Sequence, residues 1–461
     1  MKLEQIQSVY FIGAGGIGMS ALVRYFLSIG KAVAGYDRTP TALTAELEAE
    51  GARLHYVDDV ELIPSAFRDK ASTLVVLTPA VPADHTELVF FRENGFTVQK
   101  RAEVLGLITR AGKGLCVAGT HGKTTTSTMA AHLLHGSHVG CTAFLGGISK
   151  NYHSNLLLSS TSPYTVIEAD EFDRSFHHLS PYMTVITSIE PDHLDIYGTE
   201  EAYVESFRHY ASLIQPGGVL LKHKDIATEV PTLPGVSVYT YGRECGHFRA
   251  ENIRIGGGEI RFDFVGPEIR IDNISLGVPV SINIDNGVAA MALAHLNGVT
   301  AEEIKRGMES FAGVDRRFDF KLKTPNLVFL TDYAHHPSEV EQSLRSIREL
   351  YAGKKLTAVF QPHLYSRTND FYADFARSLS LADEVVLTEI YPARELPIPG
   401  VTSRLIYDRL APGVKKTLCE KKDLLNLLTD SPLEVLVCLG AGDIEDMAPA
   451  ICGELEKRAA L

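Results

Sequence analysis

The sequence predicts an α/β protein of three domains: a Rossmann-like N-terminal domain, a P-loop central domain with a small antiparallel sheet, and a Rossmann-like C-terminal domain. Three observations carry this. The 461 residues exceed one ordinary core, at roughly 150 residues per domain. Strand–loop–helix grammar restarts three times. Two glycine-rich turns each sit between a strand-like and a helix-like segment, where open α/β sheets bind ligands. The restarts divide the chain into 1–112, 113–314 and 315–461.

In the first region Val9–Ile12 reads as a buried strand and Gly18 to Ile29 as a helix. Ala32–Tyr36 and Leu74–Thr78 read as further strands. A flexible, polar break is expected at Ala111-Gly112-Lys113-Gly114. The second region opens with a strand at Leu115–Ala118 and a helix from Lys123 to Leu134. Strands at Tyr164–Ala169 and Met183–Ile189 each end in a polar cluster. Arg249–Phe264 alternates around Gly256-Gly257-Gly258, which predicts a hairpin. Asn286–His295 reads as a helix. After Gly313-Val314-Asp315, strands are expected at Val328–Thr331, Leu356–Phe360, Glu384–Leu387 and Val435–Leu439. Helices at Ser338–Leu350 and Asp370–Ser378 lie between them. Hinges are expected at Gly112–Gly114 and Gly313–Asp315.

A formal net charge of −13 argues against a nucleic-acid or anionic-membrane binder. Six scattered cysteines with no CxxC pair read as reduced thiols of a cytoplasmic protein. No secretion-signal layout is read at the N-terminus, and no apolar run is long enough to cross a bilayer.

The strongest chemical signal is Gly119-Thr120-His121-Gly122-Lys123-Thr124-Thr125-Thr126. Glycines let backbone N–H groups wrap phosphate oxygens at a helix N-terminus. Lys123 would reach the β- and γ-phosphates of ATP, and the Thr124 hydroxyl would bind Mg²⁺. Val117 stands where the full Walker pattern has glycine, so the loop is a shortened variant. A metal-bound nucleotide needs a carboxylate. Glu168-Ala169-Asp170-Glu171 closes a strand, with Glu171 the preferred ligand. His193, in the polar cluster after the next strand, is the second.

Gly13-Ala14-Gly15-Gly16-Ile17-Gly18 matches a dinucleotide fingerprint, and Asp37 follows the second strand. NAD, FAD and UDP-sugars all carry the diphosphate such a loop accepts. Two phosphate loops on one chain disfavour a simple NAD-dependent oxidoreductase. His132, His135 and His138 read as a solvated helix end, His177-His178 as packing, and Glu420-Lys421-Lys422-Asp423 as a solvated face. Asp443 is either structural or lines a crevice.

With GTHGKTTT, EADEFD (168–173), DHLD (192–195), RRF (316–318), DYAHHP (332–337) and GAGD (440–443), the chain resembles the Mur ligases, ATP-dependent amide-forming enzymes of peptidoglycan synthesis. GAGGIGMSAL (13–22), QPHLYSRT (361–368) and YPARELPIPGV (391–401) are most similar to the branch that joins L-alanine to UDP-N-acetylmuramate. The resemblance implies that the first loop holds UDP, through Gly13, Ala14, Gly15, Gly16, Ile17, Ser20 and the Thr78-Pro79-Ala80 turn, with Asp37 nearby. It implies an adenine pair, Asn283 and Asn286. Arg317 (or Arg316) would meet phosphate and Asp332 ribose. His363 and Arg367 would lie near the amino acid, with His336 or His363 as proton acceptor. Mg²⁺ is implied, as two ions for which Mn²⁺ can substitute, in a monomer or weak homodimer. Three departures stand out: Ile282 replaces the usual His, Leu364 the usual basic residue, and Phe207 the carbamylated lysine of relatives that add later residues. A related ligase that adds a preformed tripeptide is the nearest alternative.

Overall fold

The computed structural model describes residues 3–78, 81–191, 194–393, 395–429 and 431–459. Pro79, Ala80 and His193 lie outside the described residues.

Three sheets form where the three restarts were read. The first has five strands in the order Arg53–His55, Ala32–Tyr36, Ser8–Ile12, Thr73–Leu77, Thr97–Lys100, all parallel. Ser8–Ile12 and Thr73–Leu77 are buried along their whole length, as continuous apolar strands covered on both faces must be. The order reverses beside Ser8–Ile12, so the first glycine loop leaves the sheet at its switch point, where such sheets bind ligands.

In the second sheet, Lys113–Ala118 runs parallel between Met183–Ile186 and Tyr164–Glu168. The same ten-stranded sheet takes in the hairpin strands Phe248–Gly256 and Glu259–Gly266. The small sheet expected beside the parallel one is joined to it as an extension. The third sheet has six strands. Asp319–Lys323 pairs antiparallel at its edge, and Val328–Asp332, Val435–Leu439, Leu356–Phe360, Glu384–Leu387 and Lys415–Leu418 follow in parallel.

By contacts the chain falls into two compact units. One holds Met1–Glu251, Phe264–Ile271 and Asp285–Ser310. The other holds Asn252–Asp263, Asp272–Ile284 and Phe311–Leu461. Both glycine loops belong to the first. The expected break at 111–114 is not a loose linker. Ala111 ends a helix, Arg101–Ala111, and Lys113 and Gly114 begin a strand. A single apolar cluster spans both sheets of this unit, from Val9 and Phe26 to Cys116, Phe144 and Ile186. Tyr25 meets Phe144 edge-on at 5.3 Å. Gly106 shows how closely the parts fit, since a Cβ there would lie 2.2 Å from the His178 carbonyl oxygen. At the second expected hinge, Val314 is buried and Arg317 N–H donates to its carbonyl, so that segment is a structured turn.

The first sheet also buries a titratable knot. Tyr10 donates to Glu87 at 2.8 Å and lies 2.7 Å from His55 Nε2. Burial pushes the fully enclosed Glu87 carboxyl up to about 7. Because the folded value is raised, Glu87 favours folding below its ordinary value of 4.5, and this contribution fades as pH rises through 7. Glu87→Gln keeps an acceptor for Tyr10 without the charge. Denaturant unfolding of both proteins between pH 5 and 8 should show the variant gaining on the parent by about 2 kcal/mol as pH rises.

Candidate active site

The central loop is built from backbone geometry glycine permits. Gly119 has φ +133° and Gly122, capping the helix Lys123–His135, has φ +81°. A Cβ at Gly122 would lie 2.7 Å from Asn286 Oδ1. The end of the Met183–Ile186 strand pins the loop from below. Ser188 Oγ accepts from His121 N–H at 3.1 Å, and Thr120 Oγ1 donates to the Glu190 carbonyl at 2.8 Å. Tyr203 OH meets the same Thr120 hydroxyl at 2.8 Å.

Lys123 is folded over this loop. Its Nζ donates to the carbonyls of Gly119 at 2.7 Å and Thr120 at 3.2 Å, and to Glu171 Oε1 at 2.8 Å. Glu171 is 1% exposed. Burial lifts its carboxyl above the ordinary value while Lys123 pulls it down. The carboxylate beside Thr124 is Glu168, whose Oε1 accepts from the Thr124 hydroxyl at 3.1 Å. Glu168 closes the strand next to the loop strand. That position was the signal by which the sequence could have singled it out. Among the described residues no group of three or more His, Cys, Asp or Glu side chains forms a metal cluster. The oxygens of Thr124 and Glu168 are nonetheless the hard donors that suit Mg²⁺. Asn286 Oδ1 accepts from Thr126 at 3.1 Å, which ties its helix to the loop helix. Thr125 lies in the first turn of that loop helix.

In the first loop, Gly13 has φ +89°, and a Cβ there would lie 2.5 Å from Thr78 Cγ2. Asp37 Oδ2 accepts from Gly15 N–H at 2.6 Å, so this carboxylate fixes the loop. Ala14 is fully buried, Gly16 caps the helix Ile17–Ser28, and Ile17 is exposed. Ser20, expected to face the ligand, is buried and donates to the Ile17 carbonyl at 2.8 Å. Asn155 reaches the same carbonyl. Nothing local in the sequence marked it.

The remaining residues lie in the second unit. Asn283 donates to the Val278 carbonyl at 3.2 Å. Arg317 lies over the Tyr333 ring, 5.3 Å from its centre. Asp332 Oδ1 accepts from Phe318 N–H at 3.2 Å, and burial raises its carboxyl against the pull of Arg317. His336 caps a helix, lies 2.9 Å from Ser338 Oγ and meets Phe371 edge-on. His363 stacks on Tyr391 with ring centres 5.7 Å apart. Burial, then the Arg367 charge, push it down to about 4. A ring held there is neutral at pH 7 and a weak proton acceptor. Among the described residues, His363 Nδ1 and Arg367 Nη1 are buried without a hydrogen-bond partner. Two such nitrogens suit an oxyanion, which would satisfy both.

Two side readings change. His132 is buried between Tyr152 and Ser310, at 2.9 Å from each, and is no solvated helix end. Lys421 pairs with Asp443, which also accepts from Gln361 at 2.8 Å, so part of the 420–423 run and the GAGD aspartate are structural.

Three family models cover the chain: Mur ligase family, catalytic domain over 8–113, Mur ligase middle domain over 117–294, and Mur ligase, glutamate ligase domain over 316–442. The chain belongs to the Mur ligase family. It is 68% identical over 458 residues to the UDP-N-acetylmuramate–L-alanine ligase of Phocaeicola vulgatus, covering 99% of this chain and all of that one. The same enzyme of Parabacteroides distasonis is 60% identical over 462 residues, with 99% and 100% covered. The crystal structure of the UDP-N-acetylmuramate–alanine ligase of Thermotoga maritima superposes with a TM-score of 0.80 at 28% identity, covering 98% and 99% of the two chains.

For this Mur ligase, Arg367→Leu removes the charge that helps hold His363 down. The His363 titration, followed by NMR, should move up from about 4 yet stay under the free-histidine value, because burial is the larger cause. An unchanged midpoint would contradict the coupling.

Proposed function

We propose that this chain is an ATP-dependent ligase that joins L-alanine to the carboxylate of UDP-N-acetylmuramate, releasing ADP and phosphate in peptidoglycan precursor synthesis. The observation that carries this is Lys123, seated in a glycine loop on a helix N-terminus, in a chain 68% identical to an enzyme of that name. No helix among the described residues is long and apolar enough to cross a membrane. We place the enzyme in the cytoplasm, as a monomer or weak homodimer acting on small molecules without nucleic acid. Its working domains are 1–112 for UDP-sugar, 113–314 for ATP and 315–461 for the amino acid.

The chemistry follows from what each group can do. A carboxylate is a poor electrophile. One of its oxygens attacks the γ-phosphorus of ATP, the bond to the ADP oxygen breaks, and an acyl phosphate forms. Lys123 and the loop N–H groups stabilise charge on the transferring phosphoryl group. Gly119, Thr120, His121, Gly122 and Thr125 supply that cradle. Thr124, Glu168 and Glu171, with His193, would hold Mg²⁺, which neutralises phosphate charge when bound. Asn283, Asn286 and Asp332 would take the nucleoside and Arg317 the phosphate. His363 and Arg367 would hold the amino-acid carboxylate with their two unsatisfied nitrogens. The alanine ammonium gives its proton to a base, His336 or His363, the latter a weak acceptor because burial holds it down. The free amine attacks the acyl carbon, and phosphate leaves. An acyl phosphate hydrolyses in open water, so the reaction requires water to be excluded from it.

Product analysis with UDP-N-acetylmuramate, ATP and either alanine or a tripeptide tests the substrate. Alanine incorporation is expected, and exclusive use of tripeptide would overturn the reading. Lys123→Ala should lower turnover by more than about a hundredfold. Its calorimetric affinity for UDP-N-acetylmuramate should remain near that of the parent, which also reports an intact fold.

A further inference from the structure

The first turn of the helix Ile17–Ser28 is gripped by two side chains distant from it in the chain. Asn155, on the strand Ser154–Leu157, donates to the Ile17 carbonyl at 2.5 Å and approaches Ser20 Oγ at 3.3 Å. It is fully buried, and its Oδ1 has no hydrogen-bond partner among the described residues. On another side lies Arg101, whose Nε donates to the Gly18 carbonyl at 3.2 Å. A Cβ at Gly18 would lie 2.6 Å from that nitrogen. The third glycine of the loop is thus what lets a guanidinium come against the helix.

Arg101 is poorly placed for stability. It is the first residue of the helix Arg101–Ala111, where a cation opposes the helix dipole. Glu103, not Arg101, satisfies that terminus, accepting from Lys100 N–H at 2.6 Å. Burial holds the guanidinium below its ordinary value, against the pull of Asp170 first and Glu168 second. A desolvated cation of this kind needs oxyanions around it. Glu168 is the carboxylate that meets Thr124 of the ATP loop. Arg101 therefore touches the sugar-nucleotide loop and feels the carboxylates of the phosphoryl-transfer loop.

We propose that Arg101 binds an oxyanion of the UDP-sugar, holding the substrate between the two glycine loops. The proposal deepens the function proposed above and rests on it. The oxyanion is either the diphosphate on the helix terminus or the carboxylate that receives the phosphoryl group. A planar guanidinium can grip either with two parallel hydrogen bonds, which an ammonium cannot reproduce. Asn155 is a positioning residue for the same turn.

Calorimetry with the whole protein tests this. Arg101→Lys and Arg101→Met are titrated with UDP-N-acetylmuramate, UDP-N-acetylglucosamine, UDP and a non-hydrolysable ATP analogue. UDP-N-acetylmuramate should bind about tenfold more weakly to the Lys variant and weaker still to the Met variant. The ATP analogue should bind as to the parent, which shows an intact fold. A loss shared by UDP and UDP-N-acetylglucosamine assigns the diphosphate, and a loss confined to UDP-N-acetylmuramate assigns the carboxylate. Undiminished UDP-N-acetylmuramate binding by the Lys variant overturns the proposal, as does an equal loss for the ATP analogue. Failure of the parent itself to bind any UDP compound would instead overturn the proposed function.

Discussion

The Lys123–Glu171 ion pair is the interaction on which the central site depends. A buried carboxylate and a nearly buried ammonium, 2.8 Å apart, are closed into a loop whose carbonyls also take the ammonium. Such a pair is costly to desolvate and costly to break by removing one partner. Under the proposed function, a phosphate entering the loop would replace the carboxylate's charge at the ammonium with its own. The pair would then hold the loop in shape before phosphate arrives, so little reorganisation would remain when charge develops on the transferring group.

The surrounding fold serves that preorganisation. Thr120 and His121 are fixed by groups from the next strand end and from Tyr203, and Gly122 is closed over by Asn286. The first loop is handled in the same way, with Asp37 on its backbone and Asn155 and Arg101 on its helix. Buried polar side chains are here spent on backbone groups of the two loops. Both loops lie in one compact unit with a shared apolar cluster, so their spacing is set by packing and not by a linker.

Much of this was legible in the sequence, for a physical reason. Strands buried on both faces read as apolar runs, and Ala32–Tyr36, Leu356–Phe360, Glu384–Leu387 and Val435–Leu439 have the bounds expected of them. The glycine loops were visible because left-handed backbone at Gly13, Gly119 and Gly122 leaves few alternatives. At 111–114 a helix leads almost directly into a strand, and in sequence such a glycine-rich polar stretch looks the same whether it links domains or enters a strand. Ser20 was given to the ligand although its hydroxyl is turned to the Ile17 carbonyl. Asn155 and Arg101 left no local trace, since their contacts are 138 and 83 residues away in the chain. Glu168 and Glu171 differ by three positions, and only the fold separates the carboxylate on Thr124 from the one on Lys123.

The most direct test is a crystal structure with a non-hydrolysable ATP analogue. The account predicts the terminal phosphates against the N–H groups of the 119–125 loop, with Lys123 Nζ moved from the Gly119 carbonyl onto a phosphate oxygen. An analogue bound elsewhere, with Lys123 still closed on Gly119 and Glu171, would contradict it.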